Sequence, residues 1–226
     1  RFDLFGDSRS NLYILAWTTT PWTLPGNVAL AVGASIKYQV ISIKGKDEKY
    51  ILAEDLVGKV LNTEYIIHNT ILGSDLVGLE YEPLFDVVQL KSNKSYKIYD
   101  ADFVYTSEGT GVVHTAVMYG EDDYGLGTKI GLPKFHTVDE QGKFIHVGQG
   151  LDGMYLKDKQ TEDLILQILN TKYLILNTFD YEHDYPFCWR CNMPLIYYAK
   201  NSWFIKMSAV NKELLKNNEK INWVPE

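Results

Sequence analysis

The sequence predicts an α+β domain whose strands close, or nearly close, into a β-barrel with helices at its periphery. Three observations carry that expectation. Short apolar runs rich in β-branched and aromatic residues, such as Leu12-Tyr-Ile-Leu, Val28-Ala-Leu-Ala-Val32 and Tyr38-Gln-Val-Ile-Ser-Ile43, recur between Gly and Asp punctuation. Helical spacing is confined to a few stretches, among them Leu56, Val57, Val60 and Leu61, and Leu164, Ile165, Ile168 and Leu169. Many short strands without a regular strand–helix alternation suit a barrel better than a doubly wound sheet. With 226 residues, 46% apolar and 23% charged, the chain is long enough to enclose a sizeable core.

Taken in order, Leu12-Tyr-Ile-Leu-Ala-Trp17 reads as a buried strand, followed by the runs at 28–32 and 38–43. Lys44-Gly-Lys-Asp is a charged turn, and Tyr50-Ile-Leu-Ala53 resumes extended structure. Residues 53–61 read as a short amphipathic helix. Tyr65-Ile-Ile, Leu76 to Tyr81 and Val87-Val-Gln-Leu90 read as strands or turns, and Val112-Val113 as a strand entered through Gly109-Thr-Gly111. That Gly-Thr-Gly lacks the Gly-Lys-Ser/Thr ending of a phosphate loop. Glu121, Asp122 and Asp123 lead a helical stretch that stops at Gly131-Leu-Pro133, so their charges also suit a helix N-terminus. Asp139-Glu-Gln-Gly142 is a hairpin turn. Residues 161–170 form a helix with one apolar face, and residues 209–217 form a last one.

The net charge of −7 argues against non-specific nucleic-acid binding, which draws on Lys and Arg. Nothing approaches a membrane-spanning apolar run. Cys188 and Cys191 lie in one Cys-x-x-Cys and give no disulfide framework, which fits a reducing, cytoplasmic setting. The start at Arg1-Phe-Asp and the end at Trp223-Val-Pro-Glu226 read as the borders of an excised piece of a longer protein.

The densest chemistry lies in Trp17-Thr-Thr-Thr-Pro-Trp-Thr-Leu-Pro-Gly-Asn27. Pro21 forces Thr20 out of helical geometry and Pro25-Gly26 signals a turn. A stiff extended ledge is expected there, presenting hydroxyls and amides between two aromatic walls. A Thr-rich turn with packed tryptophans accounts for the same composition. The full string resembles the threonine-rich peptide in the editing domain of isoleucyl-tRNA synthetases. Gly109-Thr-Gly-Val-Val-His114, nine residues before Asp123, resembles the second editing motif of that family, with Val117 standing where the family commonly has proline. The polar, aromatic segment from Phe179 through Cys188-Trp-Arg-Cys191 to Pro194, and Ser202-Trp-Phe-Ile-Lys-Met-Ser208, resemble the stalk by which the editing domain rejoins the synthetase body. Residues 1–178 are thus expected to form the β-barrel editing domain and 179–226 a small C-terminal stalk.

The resemblance implies hydrolysis of valine misattached to tRNA for isoleucine. Thr18, Thr19 and Thr20, with Asn27, would orient the water and stabilise the tetrahedral ester. Asp123 would hold the substrate ammonium, His114 would limit side-chain size and touch the terminal ribose, and Trp17 and Trp22 would shape the walls. No Ser–His–Asp or Cys–His pair is evident, so direct attack by water is implied. The partners implied are the 3′ end of mischarged aminoacyl-tRNA and the remainder of the synthetase chain, with no membrane. Valyl-type editing of threonyl-tRNA and a non-catalytic tRNA-docking module are the alternatives. Lys206-Met-Ser-Ala-Val departs from the Lys-Met-Ser-Lys-Ser activation loop, so no synthetic activity is expected. No cofactor is expected in this fragment. Cys188 and Cys191 supply half of a structural zinc site that the full-length enzyme would complete, because a closed zinc site takes four ligands.

Overall fold

The computed structural model describes residues 11–224; the chain-border readings at Arg1 and Glu226 lie outside them. Seven strands form: β1 (Leu12–Ile14), β2 (Ala29–Val32), β3 (Lys37–Ile43), β4 (Lys49–Ala53), β5 (Tyr65–Leu72), β6 (Lys97–Asp100) and β7 (Val113–Thr115). Five helices accompany them: α1 (Val57–Val60), α2 (Gly73–Leu76), α3 (Glu121–Ile130), α4 (Lys159–Thr171) and α5 (Met207–Asn218). The strands make two sheets, of order β1-β4-β3-β5 and β6-β2-β7. Both are mixed: β1 runs parallel to β4 and β2 parallel to β6, while the other pairs are antiparallel.

Alternation along the strands decides how the sheets meet. Tyr38 and Val40 of β3 and Ile51 and Ala53 of β4 join Leu30 and Val32 of β2 and Ile98 of β6 in one buried cluster between the sheets. The outer faces are covered too. Tyr50 and Leu52 pack with Val57 and Leu61 around α1, while Ala31 meets Leu126 of α3. Because both faces of β3 and β4 are covered, their sequences are nearly continuous apolar runs. A further cluster joins Trp22, Leu24 and Val28 to Phe144, Leu151, Ile165 and Leu169. Ile165 and Leu169, with Thr161 one turn earlier, form the buried stripe of α4.

The expected strand-rich mixed fold is present, but no closed ring of strands forms among the described residues. Period-two patterning records which face of a strand is buried, not which edge meets which. One local expectation also changes. Pro21–Gly26 is a 3₁₀ helix, where an extended ledge was expected. Thr20 before it does stay outside helical geometry, at φ −130° and ψ 77°. The strand-or-turn readings stand: after α2 ends at Leu76 the chain turns and Glu80 bridges to Lys97, and Val88–Leu90 is a 3₁₀ turn. Strand β6 went unanticipated because Lys97-Ile-Tyr-Asp100 is short and flanked by charge.

Candidate functional site

The threonine-rich segment leaves β1 after Leu15, whose N–H still donates to the Ile51 carbonyl at 3.0 Å. Thr18 then turns back: its Oγ1 accepts from the Thr20 N–H at 3.1 Å. The Thr20 carbonyl in turn receives two donors from Thr23, the N–H at 3.0 Å and the hydroxyl at 2.8 Å. Pro21 occupies the first helical position, where a missing N–H costs nothing. Hydroxyl-to-backbone bonds of this kind are what threonine offers outside regular helices. Thr18 and Thr20 are half-buried and Thr19 is exposed.

His114 reaches this turn from the neighbouring strand. In β7 it lies opposite Leu30 of β2, and its Nε2 stands 3.1 Å from Thr23 Oγ1. Burial holds the imidazole pKa down at about 4, so the ring is neutral at physiological pH. Two residues on, the Ala116 N–H donates to Asp123 Oδ2 at 3.0 Å, which fixes the carboxyl in the first turn of α3 beside the β7 exit. Burial raises the Asp123 pKa to about 6; the Ala116 N–H opposes that shift and the charge of Asp122 adds to it. The site therefore combines hydroxyls, a neutral imidazole and a carboxylate that ionises just below neutrality.

The two tryptophans part. Trp17 is half-buried between Gly109, whose added Cβ would lie 2.9 Å from its ring, and Tyr181, packed edge-on at 5.1 Å. Trp22 points into the core at 6% exposure, edge-on to Tyr119 at 5.2 Å. Asn27 is likewise turned inward, at 4% exposure. Its Nδ2 donates to the Ala29 carbonyl and its Oδ1 accepts from Tyr81 at 2.6 Å. Asn27 thus secures the passage from the 3₁₀ turn into β2 and is not brought to an open face with Thr18 to Thr20. Thr23, the residue that joins the turn to His114, was not singled out in the sequence. Its only signal there is a spacing of three from Thr20.

Cys188 and Cys191 share a tight turn away from this site. Asn192, at φ +54°, donates to the Cys188 carbonyl, and the Cys188 N–H donates to Met193. Backbone N–H groups of Cys191 and Arg190 aim at the Cys188 sulfur and lower its pKa, as a metal-binding thiolate requires. The pair suits zinc in chemistry and spacing. Among the described residues no third His, Cys, Asp or Glu joins it, so this chain offers two ligands of the four.

This arrangement, with two glycine- and threonine-marked motifs meeting across β2 and β7, defines a class. The family model for tRNA synthetases class I (I, L, M and V) matches residues 20–226, and the chain belongs to that family. Within it, isoleucine–tRNA ligases are the similar relatives. The enzyme of Clostridium novyi (strain NT) is 44% identical over 216 residues, 96% of this chain, and that of Dehalococcoides mccartyi (strain CBDB1) is 43% identical over 230 residues, 95% of this chain. The chain spans about a fifth of their length, 20% and 22% respectively. In fold it is similar to the GlLeuRS-CP1 crystal structure, with a TM-score of 0.57 and 16% identity over 78% of this chain and 87% of that one. The Plasmodium knowlesi cytosolic leucyl-tRNA synthetase editing domain gives 0.51 and 13% identity over 82% and 84%. No helix among the described residues is long and apolar enough to cross a membrane.

Proposed function

We propose that this chain is the hydrolytic editing unit of an isoleucyl-tRNA synthetase and deacylates valine misattached to tRNA for isoleucine. The observation that carries the reading is the Thr18–Thr20–Thr23–His114 hydrogen-bonded cluster, set against a strand whose next turn anchors Asp123. The need for such a unit follows from pocket physics. One missing methylene in an apolar pocket is worth only about 10–200-fold, a limit for which isoleucyl-tRNA synthetase is itself the usual example, and a second, smaller pocket supplies the rest.

Above its pKa of about 6 the Asp123 carboxylate pairs with the substrate ammonium, a charge-assisted bond in a partly desolvated place. Thr18 and Thr20 hold the ester and the water, and Thr19 offers an exposed hydroxyl on the same turn. His114, half-buried and neutral, forms the wall that isoleucine overlaps. Trp17 is the aromatic side of the site. Thr23 superficially pairs with His114 as a nucleophile pairs with a base. Its hydroxyl is buried at 6% exposure and already donates to Thr20, which favours water as the attacking group. An aminoacyl ester is activated, so positioning and electrostatics suffice for a substantial acceleration.

Residues 179–226 serve as the stalk to the synthetase body, the cytoplasm is the setting, and the tRNA is held mainly by that body. Cys188 and Cys191 would contribute two thiolates to a structural zinc completed elsewhere in the parent chain. The test is hydrolysis of Val-tRNA, Thr-tRNA and Ile-tRNA by this chain at high protein concentration. Release of valine with Ile-tRNA left intact is expected. Preferential release of threonine would assign a valyl-type unit, and no release at all would assign a docking module.

A further inference from the structure

Thr23 sits between an obligate acceptor and an imidazole. Its Oγ1 lies 2.8 Å from the Thr20 carbonyl oxygen and 3.1 Å from His114 Nε2; the Thr20 hydroxyl, at 3.4 Å, is the weaker neighbour. A threonine hydroxyl has one proton, and a carbonyl oxygen can only accept. The Thr23 proton is therefore committed to Thr20, and the oxygen turns its lone pairs to the ring. The approach of Nε2 is then attractive only if Nε2 carries hydrogen. A neutral imidazole has a single N–H, so Nδ1 is bare. That atom is buried and meets no donor among the described residues. A buried acceptor without a partner is unfavourable in the free protein and marks a place where a ligand donor is gained.

We infer that Thr23 is a positioning residue that fixes His114 as the Nε2–H tautomer, leaving Nδ1 to accept a hydrogen bond from an O–H of the bound substrate complex. Two sources share that chemistry: a ribose hydroxyl of the terminal nucleoside and the hydrolytic water. The identity of the ligand rests on the editing reading above; the tautomer rests on the hydrogen-bond geometry together with the neutrality of the ring. In this tautomer His114 donates nothing toward the ester and takes no proton from Thr23. Its part is to orient an O–H, while any oxyanion must be met by the threonine hydroxyls and backbone amides. Burial supports the assignment by keeping the ring uncharged, since an imidazolium would carry hydrogen on both nitrogens.

The experiment is nitrogen NMR of the chain labelled at histidine, without ligand and at neutral pH. The expected spectrum for His114 has a pyrrole-type, protonated Nε2 and a pyridine-type, bare Nδ1. Thr23→Val is expected to lose this pattern and Thr23→Ser to keep it. A protonated Nδ1 in the parent protein, or an unchanged pattern in folded Thr23→Val, overturns the tautomer assignment whether or not the chain hydrolyses any ester. Kinetics test the ligand half. Thr23→Val is expected to lower kcat for Val-tRNA about tenfold with little change in KM, and Thr23→Ser to restore it. Unchanged kcat with a lost tautomer pattern overturns the acceptor role. Val-tRNA ending in 2′-deoxyadenosine separates the sources. If the ribose hydroxyl is the donor, Thr23→Val adds no further loss on that substrate; if water is the donor, the full tenfold loss persists.

Discussion

The threonine-rich turn and the Cys-x-x-Cys turn are both short, motif-bearing segments, yet the chain treats them differently. The first is tied in on every side: to β1 behind it, to His114 of β7, and through Trp22 and Leu24 to the largest apolar cluster. Among the described residues the second makes its hydrogen bonds within itself, from Phe187 to Pro194, with Cys191 and Trp189 open to solvent. An aromatic series, Tyr181, His183, Tyr185 and Phe187, runs between them and reaches Trp17 at one end. The difference teaches which motif is complete in this chain. The catalytic role proposed for the first turn needs groups fixed by their own surroundings, and that turn has them. A closed metal site needs four ligands, and among the described residues the second turn offers two.

The largest effect is expected where the site rests on the junction of the two sheets. Gly111 has φ +72°, a Cβ there would collide with that of Ala53, and its carbonyl accepts from the buried Tyr38 hydroxyl at 2.7 Å. Gly111→Ala combines backbone strain with overpacking and is expected to destabilise by about 3 kcal/mol or more. Denaturant unfolding checks it. A loss below about 1 kcal/mol would mean that the sheets tolerate relative movement and that the site is less rigid than described. The comparable glycines of the Cys turn do not exist, so no single substitution there should unfold the chain.

Next comes Asp123. Asp123→Asn keeps an acceptor for the Ala116 N–H and removes the charge, which makes it a cleaner probe than alanine. Valine release is expected to fall about a hundredfold, the scale of removing one member of a desolvated charged pair. The pH dependence has a distinctive sign. The carboxyl titrates at about 6 in the fold against an ordinary 3.8, so the folded state binds more protons than the unfolded between these values. Stability contributed by Asp123 is full below about 3.8 and declines as pH rises through about 6. Activity runs the other way, rising as the carboxylate forms. A falling stability contribution and a rising activity between pH 4 and 6, each read as the difference between the parent chain and Asp123→Asn, would identify this group. His114 works against Asp123 in stability: its ring is neutral in the fold above about 4 while the unfolded imidazole keeps its proton up to the ordinary 6.5, so its contribution rises with pH over the same range.

A smaller, qualitative change is expected from His114→Ala. Removing the wall should let Ile-tRNA be cleaved to within about tenfold of Val-tRNA, because a single methylene discriminates weakly once clash is gone. Continued rejection of isoleucine would move the limiting wall to Thr18–Thr20.

Much of this site was readable in advance, and the rest failed for definite reasons. His114 and Asp123 stand out through the resemblance of Gly109–His114 and the acidic run to a family motif, whereas the helix after Glu121 and its left-handed stop at Gly131 follow from local chemistry. Trp22 and Asn27 look alike to Trp17 and Thr18 in sequence, but a 3₁₀ turn rotates them inward, and turn type within a Pro-Trp-Thr-Leu-Pro string depends on what packs above it. The link from Thr23 to His114 spans 91 positions and is set by the pairing of β2 with β7, which no local pattern contains. The same limit hid the parallel pairs, since neither β1–β4 nor β2–β6 joins chain neighbours.

The smallest effect is expected at the Cys turn, and it bears most directly on the comparison. Cys188→Ser and Cys191→Ser are expected to leave valine release within twofold and unfolding within about 0.5 kcal/mol, the range of surface changes away from structural features. The Cys188 thiolate is favoured by the N–H groups of Cys191 and Arg190, yet two ligands leave a tetrahedral ion half open to water and to competing chelators. Metal analysis of the purified chain after mild chelation should therefore find well under one zinc per molecule. In a longer parent chain that supplies two further ligands, the same substitutions should abolish one bound zinc. One firmly held zinc in this chain alone, lost in Cys188→Ser, would mean that further residues close on the turn in solution, and the contrast between a complete and an incomplete motif would fail.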